Sequence, residues 1–174
     1  MCILAADQGA TVLQTIQAHN IELPLEFIGE PNSSKMFGDL GWRSEGFADL
    51  AVTLNSHNNG IHPESFLTDA GLADMFTPTS ISYTPDGNIP FIASMESKKY
   101  PFFGTQFHPE KTTAIFYPNL NVDHSWTAIE LNRYLGDKFV RLARENPNVY
   151  GDFSTIQAAI IENYDSVVTD YWCG

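Results

Sequence analysis

The sequence is poor in basic residues. Its 174 residues include 9 Lys and Arg against 21 Asp and Glu, which gives a formal net charge of −12 at pH 7. Nucleic acids and anionic membranes bind clustered Lys and Arg, so this charge balance excludes both as expected partners. An anionic substrate would need a local group of positive charges.

Cysteine is also scarce, and long apolar runs are missing. Cys2 and Cys173 are the two cysteines, and neither belongs to a Cys-x-x-Cys pair or a Cys/His cluster with zinc-ligand spacing. We therefore expect no metal site and no cofactor. No run of about twenty apolar residues and no charged segment leading into an apolar one is present, so the chain as written predicts a soluble protein without a signal peptide.

The length and apolar content predict one α/β domain over residues 1–174. Hydrophobic residues make up 43% of the chain, which is enough for a substantial core. Alternating and β-branched patterns predict strands at 11–17, 21–28, 80–83, 89–93, 100–107 and, at the end, 166–169. Helical spacing predicts helices at 1–6, 45–54, 64–76, 124–146 and 152–163.

One stretch combines a short buried strand with ionisable side chains. Residues 100–107 lead into His108, and Pro109 and Glu110 follow directly. An imidazole can take a proton from a nucleophile and return it to a leaving group when a third group fixes its tautomer. Pro109 favours a turn that would let Glu110 be that group. On these three residues alone, a catalytic pair and a surface histidine followed by a capping glutamate are equally consistent.

The surroundings of this motif are more specific than the motif. The run Phe-Phe-Gly-Thr-Gln-Phe-His-Pro-Glu-Lys at 102–111, with residues 95–101 before it, closely resembles the histidine segment of the gamma-glutamyl hydrolases. These enzymes belong to the class I glutamine amidotransferase-like superfamily. Further blocks resemble that family in the family's order, so the resemblance covers nearly the whole chain: residues 23–27, 34–37, 55–61, His124 and 134–135.

The resemblance implies roles for three residues. Members of the superfamily use a Cys-His-Glu triad, in which His108 would be the base and Glu110 the group that orients it. His57 lies in a segment that we predict as a polar loop, 55–63, and it matches the family's second active-site histidine, which implies substrate binding. The alternative for His57 is a solvated loop histidine.

The nucleophile of that triad is not found in the sequence. The family's nucleophile elbow, Gly-x-Cys-x-Gly, does not occur here. Cys2 has no flanking glycines, and we predict that it is a small buried apolar residue. The expected fold is therefore the superfamily's three-layer sandwich with a mostly parallel central sheet, missing its N-terminal part. We expect the chain as written to be truncated and inactive.

The resemblance also implies a substrate and a setting. It implies hydrolysis of folyl or antifolate poly-gamma-glutamates, a lysosomal, vacuolar or extracellular location, and a possible homodimer. Two other hypotheses stay open: a non-catalytic pseudoenzyme that binds a ligand, and a glutaminase domain of an amidotransferase. Asn32 begins an Asn-x-Ser acceptor pattern for N-glycosylation.

Overall fold

The computed structural model describes residues 2–166. Cys173 and the strand predicted at 166–169, apart from its first residue, lie outside the described residues. The chain divides into two compact units, residues 1–142 and residues 143–174. All of the described strands belong to the first unit, and the described part of the second contains the end of the longest helix, one further short helix and a 3₁₀ turn.

The described part of the chain is α/β, as predicted. Its helices are α1 (Cys2–Ala5), α2 (Arg43–Asp49), α3 (Pro63–Thr68), α4 (Ala70–Met75), α5 (Lys111–Ala114), α6 (Trp126–Arg144) and α7 (Phe153–Ala159). Its strands are β1 (Gln14–Leu23), β2 (Glu26–Phe27), β3 (Thr53–Gly60), β4 (Phe76–Tyr83), β5 (Pro90–Ser97) and β6 (Phe103–Thr105). Short 3₁₀ turns cover Gly9–Val12, Pro31–Ser33 and Ile161–Asn163.

The described strands form two antiparallel sheets. One pairs β1 with β3, and the other has the order β2-β4-β5-β6. The mostly parallel central sheet is not among the strand pairs of residues 2–166, so it stays a prediction. The hairpin prediction is confirmed: β4 and β5 pair around a turn in which Gly87 has a φ of +75°, a conformation that favours glycine.

The central strand β5 separates two apolar clusters. Phe91 and Ala93 pack in the larger cluster with residues of β1, α2 and α6, whereas Ile92 packs in the smaller cluster with residues of α3 and α4. All five residues from Phe91 to Met95 are buried. A strand covered on both faces tolerates a continuous apolar run, which explains why this segment is not alternating in sequence.

The predicted loop at 55–63 is wrong, because most of it is strand β3. Its backbone pairs with β1, with Asn55 opposite Ile21 and His57 opposite Ala18. Pairing satisfies the backbone hydrogen bonds, and the polar side chains at Ser56, Asn58 and Asn59 are exposed. The polar residues of this segment therefore belong to a strand whose side chains are partly open to solvent. Amino-acid composition alone does not distinguish such a strand from a loop.

Three other element boundaries differ from the predictions. The strands predicted at 11–17 and 21–28 are largely one strand, β1, with β2 as a separate two-residue strand. In the 100–107 stretch, only β6 pairs as a strand, since Pro101 has no N–H to donate to a ladder. The helix predicted at 64–76 is divided into α3 and α4 at Asp69, whose side chain caps the second helix.

The side chain of Asp69 also binds the backbone near the start of the chain. Its carboxylate accepts hydrogen bonds from the backbone N–H groups of Leu72 at 3.0 Å, Asp7 at 3.0 Å and Gln8 at 3.1 Å. The bond from Leu72 is the largest cause that lowers the pKa of Asp69. A carboxylate with three backbone donors joins α4 to the segment after α1 through a single side chain.

We predict that Asp69→Asn lowers the urea midpoint of unfolding at pH 7. A lowered folded-state pKa means that the stabilisation is present above the unfolded value of about 3.9 and is lost as the pH falls through the folded-state pKa. The midpoints of wild type and variant should therefore converge below about pH 4. Asp74→Asn is the matched control, because Asp74 is exposed on the same helix. A difference from wild type that stays constant between pH 7 and pH 3 would contradict this account.

Candidate active site

The backbone around His108 is held between two strands. After β6, the N–H of Gln106 donates to the carbonyl of Ala93 on β5 at 2.8 Å. Two residues later, the N–H of His108 donates to the carbonyl of Leu54 on β3, also at 2.8 Å. The chain thus crosses from one strand to the other, and this crossing places the histidine.

His108 and Glu110 meet as the sequence motif predicts. The His108 Nδ1 atom lies 2.9 Å from the Glu110 Oε1 atom. An ionised carboxylate has no proton to donate, so Nδ1 carries the hydrogen of this bond and Nε2 is left with its lone pair. The His108 side chain keeps 38% of its surface exposed, so the ring is accessible to a reactant.

His57 lies on β3, three residues beyond the strand residue that anchors His108. Its Nδ1 atom is 3.0 Å from the carbonyl oxygen of Ile16 on β1, and its ring packs edge to face on Phe91 with 4.9 Å between ring centroids. A carbonyl oxygen only accepts, so Nδ1 carries the hydrogen here as well. The Nε2 atom is buried without a hydrogen-bond partner among the described residues.

Burial is the main cause that lowers the pKa of His57. The hydrogen bond to the Ile16 carbonyl and a backbone interaction with Asn59 oppose this change in pKa, whereas electrostatic interactions with His19 and His108 add to it. A lowered pKa means that the neutral form of His57 predominates near pH 7.

A third histidine fixes the chain after Glu110. The Nδ1 atom of His124 lies 2.9 Å from the carbonyl oxygen of Thr112 in α5, and its ring stacks on Phe116 with 4.1 Å between centroids. These contacts hold the segment that continues from the His108–Glu110 pair. The sequence assigned His124 no role in the site, whereas in the structure it makes a positioning contact.

Buried polar side chains near the pair were missed from the sequence. Asn55, Thr112 and Asn132 are at most 2% exposed, and each has one side-chain oxygen without a hydrogen-bond partner among the described residues. Asn132 could have been found, because it interrupts the apolar face of a helix between Leu131 and Tyr134. The other two occupy positions with no distinctive pattern.

The structure does not test the prediction for the nucleophile. The side chain of Cys2, at the start of α1, and the whole of Cys173 lie outside the described part of the chain. Among the described residues, no group of three or more His, Cys, Asp and Glu side chains is placed to hold a metal ion. No helix within residues 2–166 combines the length and the apolar character needed to cross a membrane.

Comparison with known proteins finds similarity to gamma-glutamyl hydrolases from several organisms. The chain is 30% identical over 159 residues to gamma-glutamyl hydrolase B of Dictyostelium discoideum, covering 91% of this chain and 46% of that protein. It is 29% identical over 164 residues to the human gamma-glutamyl hydrolase, covering 92% of this chain and 50% of the relative. Gamma-glutamyl hydrolase 2 of Arabidopsis thaliana is 27% identical over 120 residues, which are 69% of this chain and 34% of that protein.

These matches confirm the resemblance that the sequence blocks predict. No protein-family model matches the chain. The chain spans about half the length of the curated relatives it matches first.

We predict that His57 is neutral at pH 7, with its hydrogen on Nδ1. Long-range ¹H–¹⁵N NMR spectra of the imidazole should show Nε2 as the unprotonated nitrogen, with a titration midpoint below 6.5. Because the folded-state pKa is lowered, the unfolded chain binds more protons, so the free energy of unfolding should fall as the pH drops below about 6.5. In His57→Gln, the free energy of unfolding should decrease less over the same pH range. A midpoint above 6.5, or a hydrogen on Nε2, would refute the assignment.

Proposed function

We propose that this chain, which is homologous to the gamma-glutamyl hydrolases, supplies the histidine base and the orienting carboxylate of a Cys-His-Glu hydrolase. The substrates are folyl or antifolate poly-gamma-glutamates. The observation that carries the proposal is the 2.9 Å contact between His108 Nδ1 and Glu110 Oε1, on a backbone anchored to both β3 and β5. This is the arrangement that a triad requires of its base and its third member.

His108 moves protons in each step of the proposed reaction. Its Nε2 atom takes the proton of a cysteine thiol, and the thiolate attacks the carbonyl carbon of the gamma-amide bond. When the carbon–nitrogen bond breaks, His108 returns the proton to the leaving amine and a thioester remains. Water then attacks the carbonyl carbon of the thioester while His108 removes a proton from that water. The carbon–sulfur bond breaks, His108 returns the proton to the cysteine thiolate, and the glutamyl carboxylate is released.

Glu110 and the nucleophile elbow have supporting roles. Glu110 keeps the hydrogen of His108 on Nδ1 and so holds the lone pair of Nε2 toward the reaction. Backbone N–H groups at the elbow would stabilise the negative charge on the tetrahedral intermediate. The elbow motif does not occur in these 174 residues, so we propose that the chain by itself forms no acyl-enzyme.

His57 binds the substrate in this proposal. Its Nδ1 hydrogen is engaged by the Ile16 carbonyl, and Nε2 is buried without a partner among residues 2–166. A neutral imidazole in this state accepts a hydrogen bond from an N–H group, and the gamma-linked amides of the substrate provide such donors. A buried acceptor also discriminates against ligands that leave it unpaired.

The finer architecture and setting are proposed on the same homology. Residues 1–174 would form part of a class I glutamine amidotransferase-like three-layer sandwich, with the parallel strands of its central sheet contributed from outside the described strand pairs. The whole protein would be a lysosomal, vacuolar or extracellular hydrolase that forms a homodimer.

A glutaminase domain is the second candidate function. It would use the same triad on free glutamine. The block at 55–61 resembles the gamma-glutamyl hydrolases in particular, which favours polyglutamyl substrates over free glutamine. A pseudoenzyme that binds ligand without turnover is the third candidate, and it predicts that His108 can be replaced without loss of function.

We predict hydrolysis once a nucleophile elbow is supplied. The portion of the Dictyostelium relative that does not match this chain, fused ahead of residue 1, should release glutamate or glutamyl peptides from pteroylpentaglutamate, measured by mass spectrometry. His108→Asn should lower kcat/KM by ~10²–10⁴, the usual contribution of a general base. Glu110→Ala should also lower it, because the ring loses its orientation.

His62→Asn is the matched control for the fusion, since the His62 side chain caps α3 by accepting a hydrogen bond from the backbone N–H of Glu64, and asparagine can cap a helix in the same way. It should retain the activity of the unsubstituted fusion. Activity that survives His108→Asn would refute the proposed base. A preference for free glutamine over pteroylpentaglutamate would support the glutaminase instead.

A further inference from the structure

An exposed aromatic ring lies shortly after the His108–Glu110 pair in the chain. Phe116, in the loop between α5 and α6, keeps 68% of its surface exposed. Its ring stacks on the ring of His124, with 4.1 Å between the ring centroids and 17° between the ring planes. The stack covers one face of the phenyl ring, and the high exposure of Phe116 leaves the opposite face open. We call the Phe116–His124 stack the aromatic platform.

The imidazole ring under Phe116 is anchored to a buried part of the chain. The Nδ1 atom of His124 lies 2.9 Å from the carbonyl oxygen of Thr112, a residue of α5 that is fully buried. This hydrogen bond fixes the orientation of the imidazole ring, and the stack in turn fixes the orientation of the phenyl ring. The platform therefore presents an open aromatic face in a defined position.

Side chains of β1 hold the other end of the same loop. The Nδ2 atom of Asn20 donates to the carbonyl of Asn119 at 3.0 Å, and its Oδ1 atom accepts from the N–H of Asn121 at 2.7 Å. Glu22 accepts from the N–H of Asp123 at 2.8 Å. Asn20 has a φ of +47°, a left-handed conformation that asparagine adopts more readily than most residues. Because these bonds order the loop in advance, less entropy is lost when a ligand binds.

The platform lies within reach of a substrate bound at His108. After Glu110, the chain forms the four-residue helix α5 and continues through Ile115 to Phe116. At about 1.5 Å per helical residue and about 3.4 Å per extended residue, the Cα atoms of Glu110 and Phe116 are at most roughly 13 Å apart. In a folyl polyglutamate, an aminomethylbenzoyl group and one glutamate separate the pteridine ring from the first gamma-amide bond. This spacer is of comparable length, so one extended substrate can reach from His108 to Phe116.

We propose that the aromatic platform binds the pteridine ring of the substrate, so that the chain prefers polyglutamates that carry this ring over polyglutamate tails without it. This proposal rests on the proposed function, which supplies the substrate class. The pteridine ring stacks on the open face of Phe116, while the gamma-linked tail extends to His108. Stacking on an aromatic side chain needs no particular pattern of hydrogen bonds, so the platform accepts folates and antifolates alike.

The size of the exposed surface favours a single flat ring over a protein partner. Within residues 111–124, the large apolar side chains that are exposed are those of Phe116 and Tyr117. An aromatic side chain buries roughly 150–250 Å², whereas a stable protein–protein interface buries about 1,600 Å² in total. Two side chains provide much less than this area. Stacking of one heterocycle requires a single open ring face.

The test is a calorimetric titration of the 174-residue chain with two matched ligands. Pteroylpentaglutamate carries the ring, and N-acetyl-penta-gamma-glutamate has the same tail without it. We expect the chain to bind pteroylpentaglutamate at least about fivefold more tightly, which is the range that stacking on one aromatic side chain provides. Phe116→Leu should abolish this preference, and Phe116→Trp should retain it because the indole ring also offers a flat face.

Tyr117→Leu is the matched control. Tyr117 is 69% exposed beside Phe116, and its ring has no ring partner among residues 2–166. The variant should keep the wild-type preference for pteroylpentaglutamate. Phe116 and Tyr117 are both exposed, so the variants should fold, which circular dichroism would check.

The outcomes separate ring recognition from catalysis. Equal affinity of the wild type for the two ligands, binding of neither, or a preference that survives in Phe116→Leu would overturn the platform. If Phe116→Leu keeps the preference and converts a dimer of this chain to a monomer in analytical ultracentrifugation, the ring joins two copies instead. A preference that depends on Phe116, in a chain whose fusion to the elbow hydrolyses no pteroylpentaglutamate, would support the platform and refute the proposed function.

Discussion

The hydrogen bond between His108 and Glu110 is the constraint on which the rest of the site depends. A carboxylate that accepts from Nδ1 decides which ring nitrogen holds the lone pair, and therefore which atom can act as a base. The bond forms because Pro109 turns the chain and because the His108 backbone is anchored on Leu54. The geometry of the His108–Glu110 pair thus depends on the turn at Pro109 and on one backbone hydrogen bond to the neighbouring strand β3.

Strands β3 and β5 hold this arrangement rigid. β5 is buried on both faces, and Phe91 on it supports the ring of His57 while Ala93 on the same strand anchors the segment before His108. The two histidines are thereby fixed by the same apolar cluster. A site placed on a packed core keeps its geometry when the loops around it move.

The sequence predicted the His108–Glu110 contact because both residues lie within one turn, where local chain geometry decides the distance. It predicted the hairpin for the same reason. It failed on β3, where the pairing with β1 crosses more than thirty residues and the Asn-rich composition favours a loop. Asn132 interrupts the apolar face of α6 in the sequence, but its burial and its hydrogen bonds to Val52 and Ala128 required the structure. Local rules therefore predicted the contact between His108 and Glu110, whereas residues defined by long-range packing required the structure.

The most direct test of this account is the protonation of the His108 ring in the 174-residue chain. Long-range ¹H–¹⁵N NMR at a pH where the ring is neutral should show the hydrogen on Nδ1 and the lone pair on Nε2. In Glu110→Ala, this preference should be lost, with both tautomers present. If His108 instead carries its hydrogen on Nε2, or if Glu110→Ala leaves the spectrum unchanged, then Glu110 does not orient a base and the proposed triad is contradicted.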